Sequence, residues 1–519
     1  MGGRRSSVWD STYSLFPYQQ EAAEFMLDHN ALLAFDMGAG KTPTTIHAIE
    51  TLRDEEDLEG AGVVLAPSSL LFQWAREIEK FTGGSRKSLV VQGGPKNREI
   101  LYLTAAQYDY VIMTYDTYLR DRDRLRRMSI NNFMVLDEAT AIKSFKAKRT
   151  AALKKDRDRY PVRFALTGTP VENGKPEELF SILEWVDPKI PGPWWKFEKE
   201  HLIRNSFGWV EGYRQIDKFH KRVKKNILRK TVHDPEVSKY LPAVITPPPV
   251  MVPMDRKTSG VYHRAVTDLL EDLDNIVDKL GAFRDWDDMG EQDPDHPDGK
   301  MMSKIQTIRM LLDHPESVCV SAARFADPED TRGSEFSATL VNEGLLDGLP
   351  SPKFDSFAIY LTEYLDRDPD NKVVVFCSFV DVADHIHRAT PNSVLFTGNL
   401  SSKKRDEVKT KFQTDPETRV FVSTDAGGYG LDLPQANLLI NYDLPWQAGL
   451  LKQRNARIRR ASSEWEHVVV QDFIVQDSLE ERLMEVLRHK IAVSDAFVDG
   501  EGILEDGTIG SSLESLRSF

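Results

Sequence analysis

What most constrains this chain is a rhythm of short, nearly uninterrupted apolar runs, each followed by a helix-length stretch, repeated in two series. The first series comprises Leu32–Phe35, Val63–Ala66, Tyr110–Thr114, Met134–Asp137 and Phe164–Thr167. The second comprises Val373–Cys377, Val394–Phe396, Val420–Ser423, Leu438–Asn441 and Val468–Phe473. A strand that is apolar at every position has both faces buried, and such strands joined by helices form parallel sheets covered on both sides. The expected fold class is therefore α/β, with two parallel-sheet lobes, since 519 residues exceed what one core serves.

Between the two series the pattern changes. Residues 194–239 read as helical and basic, Pro247-Pro248-Pro249 interrupts the chain, and Tyr262–Lys279 carries an apolar stripe at helical spacing. Asp285–Lys300 reads as a loop and Met301–Leu312 as a further helix. These shifts divide the chain into a first lobe (1–193), a helical protrusion (194–246), a linker with a second protrusion and an acidic loop (247–352), a second lobe (353–498) and an acidic, flexible tail (499–519).

Within the first lobe, Gly38-Ala39-Gly40-Lys41-Thr42 follows the first strand and opens a helix. Small residues there let backbone N–H groups reach phosphate oxygens at the positive end of a helix. Lys41 would neutralise the β- and γ-phosphates of ATP and Thr42 would hold Mg2+. The strict phosphate-loop spacing requires glycine at position 35, which is Phe35, so taken alone the run is also compatible with a glycine-rich turn. The fourth strand ends in Asp137-Glu138, 96 residues beyond Lys41, with Asp137 set to hold Mg2+ and Glu138 to orient the attacking water. The two signals in this order make an ATPase with ATP and Mg2+ as cofactors the expectation.

In the second lobe, Gln453, Arg457 and Arg460 stand at i, i+4 and i+7, one face if helical. Arginines presented to a phosphate cleft stabilise transition-state charge. Their distance from Lys41 in the sequence requires them to come from the other lobe, which links hydrolysis to lobe closure.

Taken in order, these motifs resemble the helicase-like ATPases of superfamily two, in particular the Swi/Snf-type DNA translocase branch, and the resemblance spans 15–487. It implies two RecA-like P-loop NTPase lobes, each bearing a helical protrusion. Leu15-Phe16-Pro17-Tyr18-Gln19 resembles the segment that reads adenine, placing Tyr18 and Gln19 at the cofactor with Gly38, Ala39 and Gly40. Ser68, Gln73 and Trp74 resemble the motif that contacts the tracked strand. Asp137-Glu138-Ala139-Thr140 is similar to the family's acidic box, with Thr140 where relatives carry His. Leu166-Thr167-Gly168-Thr169-Pro170 through Glu172-Asn173 is the most branch-specific match. Val374-Phe376-Ser378 and Ser423 to Leu433 resemble the fourth and fifth motifs, the latter bringing Gly430 and Asp432 to the nucleotide, with Asp425 where many relatives carry Arg.

A motor of this kind grips the phosphate backbone and needs no base reading. Thr114, Thr167, Gly168, Ser378 and Thr424, at or near strand C-termini, are the expected DNA contacts, since ligands of open α/β sheets bind there. The net charge of −14 excludes a general polyanion binder, so contact must come from local basic surface. Lys218–Lys230 holds seven Lys or Arg and no acid, making Lys221, Lys224 and Lys225 further DNA-contact candidates; a solvated helix facing the acidic 285–298 segment is the plain alternative. Double-stranded DNA is the expected partner, single-stranded or branched DNA remaining open. A strand-separating helicase, an RNA helicase and a non-hydrolysing clamp are the competing readings.

No run approaches the length of a membrane span. Two cysteines, Cys319 and Cys377, support neither a disulfide framework nor a zinc site. A monomer in a reducing, cytoplasmic compartment is expected, in a prokaryotic or virus-infected cell, or the nucleus if eukaryotic.

Overall fold

The computed structural model describes residues 8–55, 58, 60–171, 175–205, 208, 210–280, 297–327, 330, 332–425, 431–460, 463–498 and 509–510. Two parallel sheets form its frame. The first has the order β3-β4-β2-β5-β6-β1-β9, made of β1 (Ala31–Phe35), β2 (Gly62–Leu65), β3 (Ser88–Val90), β4 (Tyr110–Met113), β5 (Phe133–Asp137), β6 (Val162–Leu166) and, past an antiparallel hairpin of β7 (Leu202–Arg204) and β8 (Val210–Tyr213), β9 (Ile227–Lys230). Every residue of β1, β2, β4 and β5 is buried, the both-faces-covered state that the apolar runs predict.

The second sheet runs β10-β16-β15-β12-β14-β13, from β10 (Ala243–Ile245), β12 (Val373–Cys377), β13 (Ser393–Phe396), β14 (Val420–Thr424), β15 (Leu438–Asn441) and β16 (His467–Val475), with β11 (Val250–Val252) also pairing β16. All its pairings are parallel. Each sheet is lined on both faces by apolar clusters: Leu32, Val63, Val111 and Leu136 fall in one and Leu33, Val64, Ile112 and Val135 in the other in the first lobe, and Val373, Val375 and Val374, Phe376 divide likewise in the second.

Three expectations change, two about the middle of the chain and one about its tail. The basic run does not stay helical: helix Ile216–Val223 gives way at Lys224, and Ile227–Lys230 becomes the edge strand β9, pairing Leu32 with Ile227 through Phe35 with Lys230. The chain joins the second sheet at Ala243, before the proline triplet, so Pro247–Pro249 lies between two strands that both pair β16. Ile509–Gly510 pairs antiparallel with Gly212 and Tyr213, so this part of the expected flexible tail is a strand. The second protrusion is helical as expected, with helices Arg256–Leu280, Pro297–Asp313, Pro315–Phe325 and Glu335–Asn342. Positions 285–296 of the acidic segment lie outside the described residues, while Pro297 and Asp298 open a helix. Among the described residues, no helix is long and apolar enough to cross a membrane.

Candidate functional site

β1 delivers the chain at Phe35, and helix Lys41–Asp54 starts at the sixth residue beyond it. Gly38 and Gly40 in the connecting loop both adopt φ +83°, a region open to glycine and strained for other residues. The helix has no side-chain cap and no acid in its first turn, which leaves its N-terminal N–H groups and positive dipole end to an anion. Lys41 Nζ donates to the carbonyl oxygen of Phe35 at 3.0 Å and of Asp36 at 3.5 Å. Burial pushes the Lys41 ammonium below its ordinary pKa against the pull of Glu138, Asp137 and Asp36, and Arg460 adds to the downward push. Thr42, half-buried, is the second residue of the helix.

β5 ends on the acidic pair. Asp137 is buried and accepts the Trp74 indole N–H at 2.8 Å on Oδ2 and the Glu138 backbone N–H at 3.0 Å on Oδ1. Burial raises its pKa, opposed by the Trp74 bond and the Lys41 charge. Glu138 holds φ +50°, a left-handed conformation that is uncommon for a residue with a side chain and typical of sites where geometry is imposed.

The second lobe reaches this loop. A Cβ placed on Gly38 would stand 2.9 Å from Arg460 Nη1 and 2.9 Å from the Arg459 carbonyl oxygen. Arg459 also donates to the carbonyls of Pro242 at 3.0 Å and Val232 at 3.2 Å. Arg460 donates to the Asp432 carboxylate, and Arg457 to the Leu431 carbonyl at 3.3 Å. The expectation of one helical face carrying Gln453, Arg457 and Arg460 is corrected: the helix is Ala448–Asn455, and both arginines stand in the loop after it, tied to β-sheet connections by the Leu433 N–H to Arg457 carbonyl bond at 3.0 Å. Gln453 is buried within that helix. Gly430 lies outside the described residues.

Tyr18 and Gln19 sit under the phosphate loop. The Tyr18 hydroxyl and Gln19 Nε2 each donate to the Ala39 carbonyl at 3.0 Å, and Gln19 Oε1 accepts the Phe16 N–H at 2.9 Å. A Cβ on Gly40 would clash with Gln19 Nε2. In this structure both ends of the Gln19 amide are engaged by the protein, so Tyr18 and Gln19 buttress the phosphate loop from below.

The expected DNA contacts divide. Ser68 is exposed, as are Lys221, Lys224 and Lys225, with Lys221 paired to Asp217 at 3.2 Å. Gln73 is half-buried and donates to Glu77 at 2.8 Å. Thr114 caps helix Tyr115–Leu125 by accepting the Thr117 N–H. Trp74, Thr167 and Thr424 are at most 2% exposed, so no strand can lie against them as placed. Trp74 holds Asp137; Thr167 Oγ1 accepts the Thr169 N–H at 3.1 Å. Gly168 is pressed on the phosphate loop, where a Cβ would lie 3.3 Å from Met37 Cγ. Ser378 is held by Asp443, its N–H and Oγ–H each donating at 2.7 Å.

Four residues escaped sequence reasoning. Arg229, on β9, donates to the Asp36 carboxylate and to the Ala34 carbonyl, both at 2.8 Å, and so anchors the base of the phosphate loop. Asp36 Oδ2 in turn accepts the Val232 N–H at 3.0 Å. Arg454, fully buried, pairs with Asp425 at 2.6 Å and with Asp443 at 3.4 Å, which supplies the acid at position 425 with a structural partner. Arg459 bridges the lobes. The only sequence signal for the three arginines was their place in basic runs, which does not tell anchoring arginines from exposed ones, and Asp36 was marked only by its place at the start of the phosphate-loop segment. A cavity of about 900 Å3 opens between the lobes, lined among others by Asp36, Lys224, Arg229, Lys452 and Arg459.

Comparison with known proteins gives two family matches: the SNF2-related domain over residues 18–290, more than half of the chain, and the helicase conserved C-terminal domain over residues 357–462. Relatives include the putative ATP-dependent helicase/translocase YwqA of Bacillus subtilis, 25% identical over 501 residues covering 94% of this chain and 49% of that protein. Another is the DNA repair and recombination protein RAD54-like of Gallus gallus, 24% identical, covering 95% of this chain and 68% of that one. The chain thus spans about half the length of the first relative. Among solved structures, the Pyrococcus furiosus Hef helicase domain is 16% identical with a TM-score of 0.52, over 91% of this chain and 98% of that one, a likeness of fold. The Sulfolobus solfataricus SWI2/SNF2 ATPase core in complex with dsDNA is 24% identical with a TM-score of 0.41, over 96% and 95%. With the first family model covering the phosphate loop and acidic pair, and the second covering most of the arginine-bearing lobe, the chain belongs to the SNF2-related family of ATP-dependent helicase-like enzymes.

Proposed function

We propose that this protein is an ATP-driven translocase that moves along double-stranded DNA by opening and closing its two lobes around one ATP. The observation that carries the reading is the approach of Arg460 to Gly38: hydrolytic groups of one lobe are completed by a cation of the other. Closure and hydrolysis are then one event, which a motor requires. A non-hydrolysing clamp has no use for Lys41, Asp137, Glu138 and Arg460 in one cleft.

The residues fit ATP with Mg2+. Lys41 and the uncapped helix start offer positive charge to a triphosphate, and Asp137 keeps lone pairs beyond the two donors it accepts. Thr42 and Asp137 would hold Mg2+, which when bound neutralises phosphate charge and orders the triphosphate. Glu138 orients the attacking water, and Arg457 and Arg460 stabilise charge that develops on the phosphoryl oxygens. Lys224, Lys225 and Ser68 are exposed and suit the backbone-gripping role. The resemblance to a protein named for DNA repair and recombination favours DNA over RNA as the track.

ATP turnover measured with duplex DNA, single-stranded DNA and RNA, beside a strand-displacement assay, tests this. Stimulation by duplex without displacement is expected. Displacement of a strand at the rate of ATP turnover would make the protein a separating helicase, and stimulation by RNA alone would overturn the track. Lys41→Ala abolishes turnover in every case.

A further inference from the structure

In the second lobe, three potential metal ligands converge that are not among the residues assigned to the nucleotide cleft. His314 caps the start of helix Pro315–Phe325, Glu316 lies in its first turn, and His385 comes from helix Val380–Ala389 behind β12. Although 69 residues separate them in sequence, His385 Nδ1 and Glu316 Oε2 are 2.7 Å apart. One ligand atom from each of the three lies within 4.8 Å of the others. We propose that His314, Glu316 and His385 bind one divalent transition-metal ion of the zinc type, which staples the helical protrusion to the sheet-bearing core of this lobe.

The ligand chemistry selects the ion. Two imidazoles and a carboxylate suit Zn2+, Co2+ or Ni2+, whereas Mg2+ prefers oxygen ligands and retains waters. Tetrahedral Zn2+ with bonds of about 2.0–2.1 Å places its ligand atoms roughly 3.4 Å apart, and the three atoms here already lie within 4.8 Å of one another. The rings are held close together: their centroids stand 3.7 Å apart with planes at 33°, and Phe354 packs edge-on against both, at 5.6 Å from His314 and 4.8 Å from His385; ligating one ion swings them out of this stack. Both histidines are half-buried and Glu316 is exposed, leaving a path for the ion and a fourth coordination position for water.

Two contacts compete with the ion. Arg388 lies 3.5 Å from Glu316, although it also pairs with Asp384 at 2.9 Å. His314 Nδ1 accepts the Glu316 backbone N–H at 3.2 Å, and ligation through that nitrogen gives up the cap. Without an ion, His385, Glu316 and Arg388 form a surface ion pair of little consequence.

The test uses the full chain in a Cys319→Ser background, which removes an exposed free thiol that would compete for zinc. After chelator treatment and desalting, Zn2+ and Co2+ are titrated calorimetrically with millimolar Mg2+ present throughout. Expected are one Zn2+ per chain, a four-coordinate Co2+ absorption spectrum and a zinc-dependent rise in the unfolding temperature. His385→Ala and Glu316→Gln should each weaken binding tenfold or more, and Lys41→Ala should leave it unchanged, which separates this site from the nucleotide cleft. Absence of stoichiometric binding below about 100 μM, or equal affinity in His385→Ala, overturns the proposal and leaves only the ion pair.

Discussion

Arg460 of the second lobe stands so close to Gly38 of the first that a methyl group on that glycine would meet its Nη1 at 2.9 Å. The glycine serves two ends there: it supplies φ +83°, and it leaves room for the arginine. Gly38→Ala therefore strains the loop by roughly 1 kcal/mol and holds the lobes apart. We expect its kcat for ATP to fall tenfold or more while affinity for duplex DNA changes less than threefold. Parallel turnover and binding titrations check this; equal losses in both would mean that the loop had unfolded.

Trp74 bears on Asp137 rather than on a strand of DNA. Trp74→Phe keeps an aromatic ring but removes the donor to Oδ2 and part of the buried ring volume, leaving a small void and a buried carboxylate one partner short. That costs about 1–3 kcal/mol of stability in the first lobe and raises the Asp137 pKa further. The first thermal transition should drop by several degrees, and kcat should fall with little change in DNA affinity. A variant that loses DNA affinity at unchanged kcat would restore Trp74 to the nucleic-acid interface.

The strands were legible because their burial on both faces writes itself as apolar runs: Val373–Cys377 and Leu438–Asn441 coincide with β12 and β15 residue for residue. The edge strand β9 was not, since Arg229 and Lys230 break its apolar pattern and follow a basic helix. Its identity depends on pairing with β1, a tertiary fact. The phosphate loop and acidic pair were readable from local chemistry. What Trp74 and Gln19 do was not, because their partners lie 63 and 20 residues away and a residue type does not name its partner. The helical spacing of Gln453, Arg457 and Arg460 misled for a related reason: the helix stops at Asn455, and the arginines are brought round by the loop.

Glu77 makes stability depend on pH. It is half-buried on helix Leu71–Phe81, accepts from Gln73, and faces the charges of Asp432 and Asp137; burial, with those two acids, pushes its pKa from 4.5 to about 7. An acid whose folded pKa is raised favours folding below pH 4.5, and that advantage is lost as pH climbs to about 7. Glu77→Gln should remove this slope. Relative to the parent it gains stability between those pH values, by no more than about 3 kcal/mol and less in proportion to solvent access. Denaturant midpoints of the two proteins from pH 5 to 8 check it; parallel curves would return Glu77 to an ordinary carboxylate.

The basic run offers an internal contrast for the DNA proposal. Lys221 is engaged by Asp217 at 3.2 Å and Arg229 by Asp36 at 2.8 Å, while Lys224 and Lys225 are exposed and Lys224 forms part of the wall of the inter-lobe cavity. Each lysine that neutralises a phosphate adds close to one unit to the dependence of log affinity on log salt concentration. Replacing both Lys224 and Lys225 by Ala should therefore reduce that slope by about two and weaken duplex binding alike across sequences. Lys221→Ala should reduce it by less, since Asp217 already meets part of that charge. ATP turnover without DNA should stay at the parent rate in both variants, because none of these lysines is among the residues expected to hold the nucleotide. An unchanged slope in the double variant would assign the run to solvent and move the DNA track to another face of the lobes.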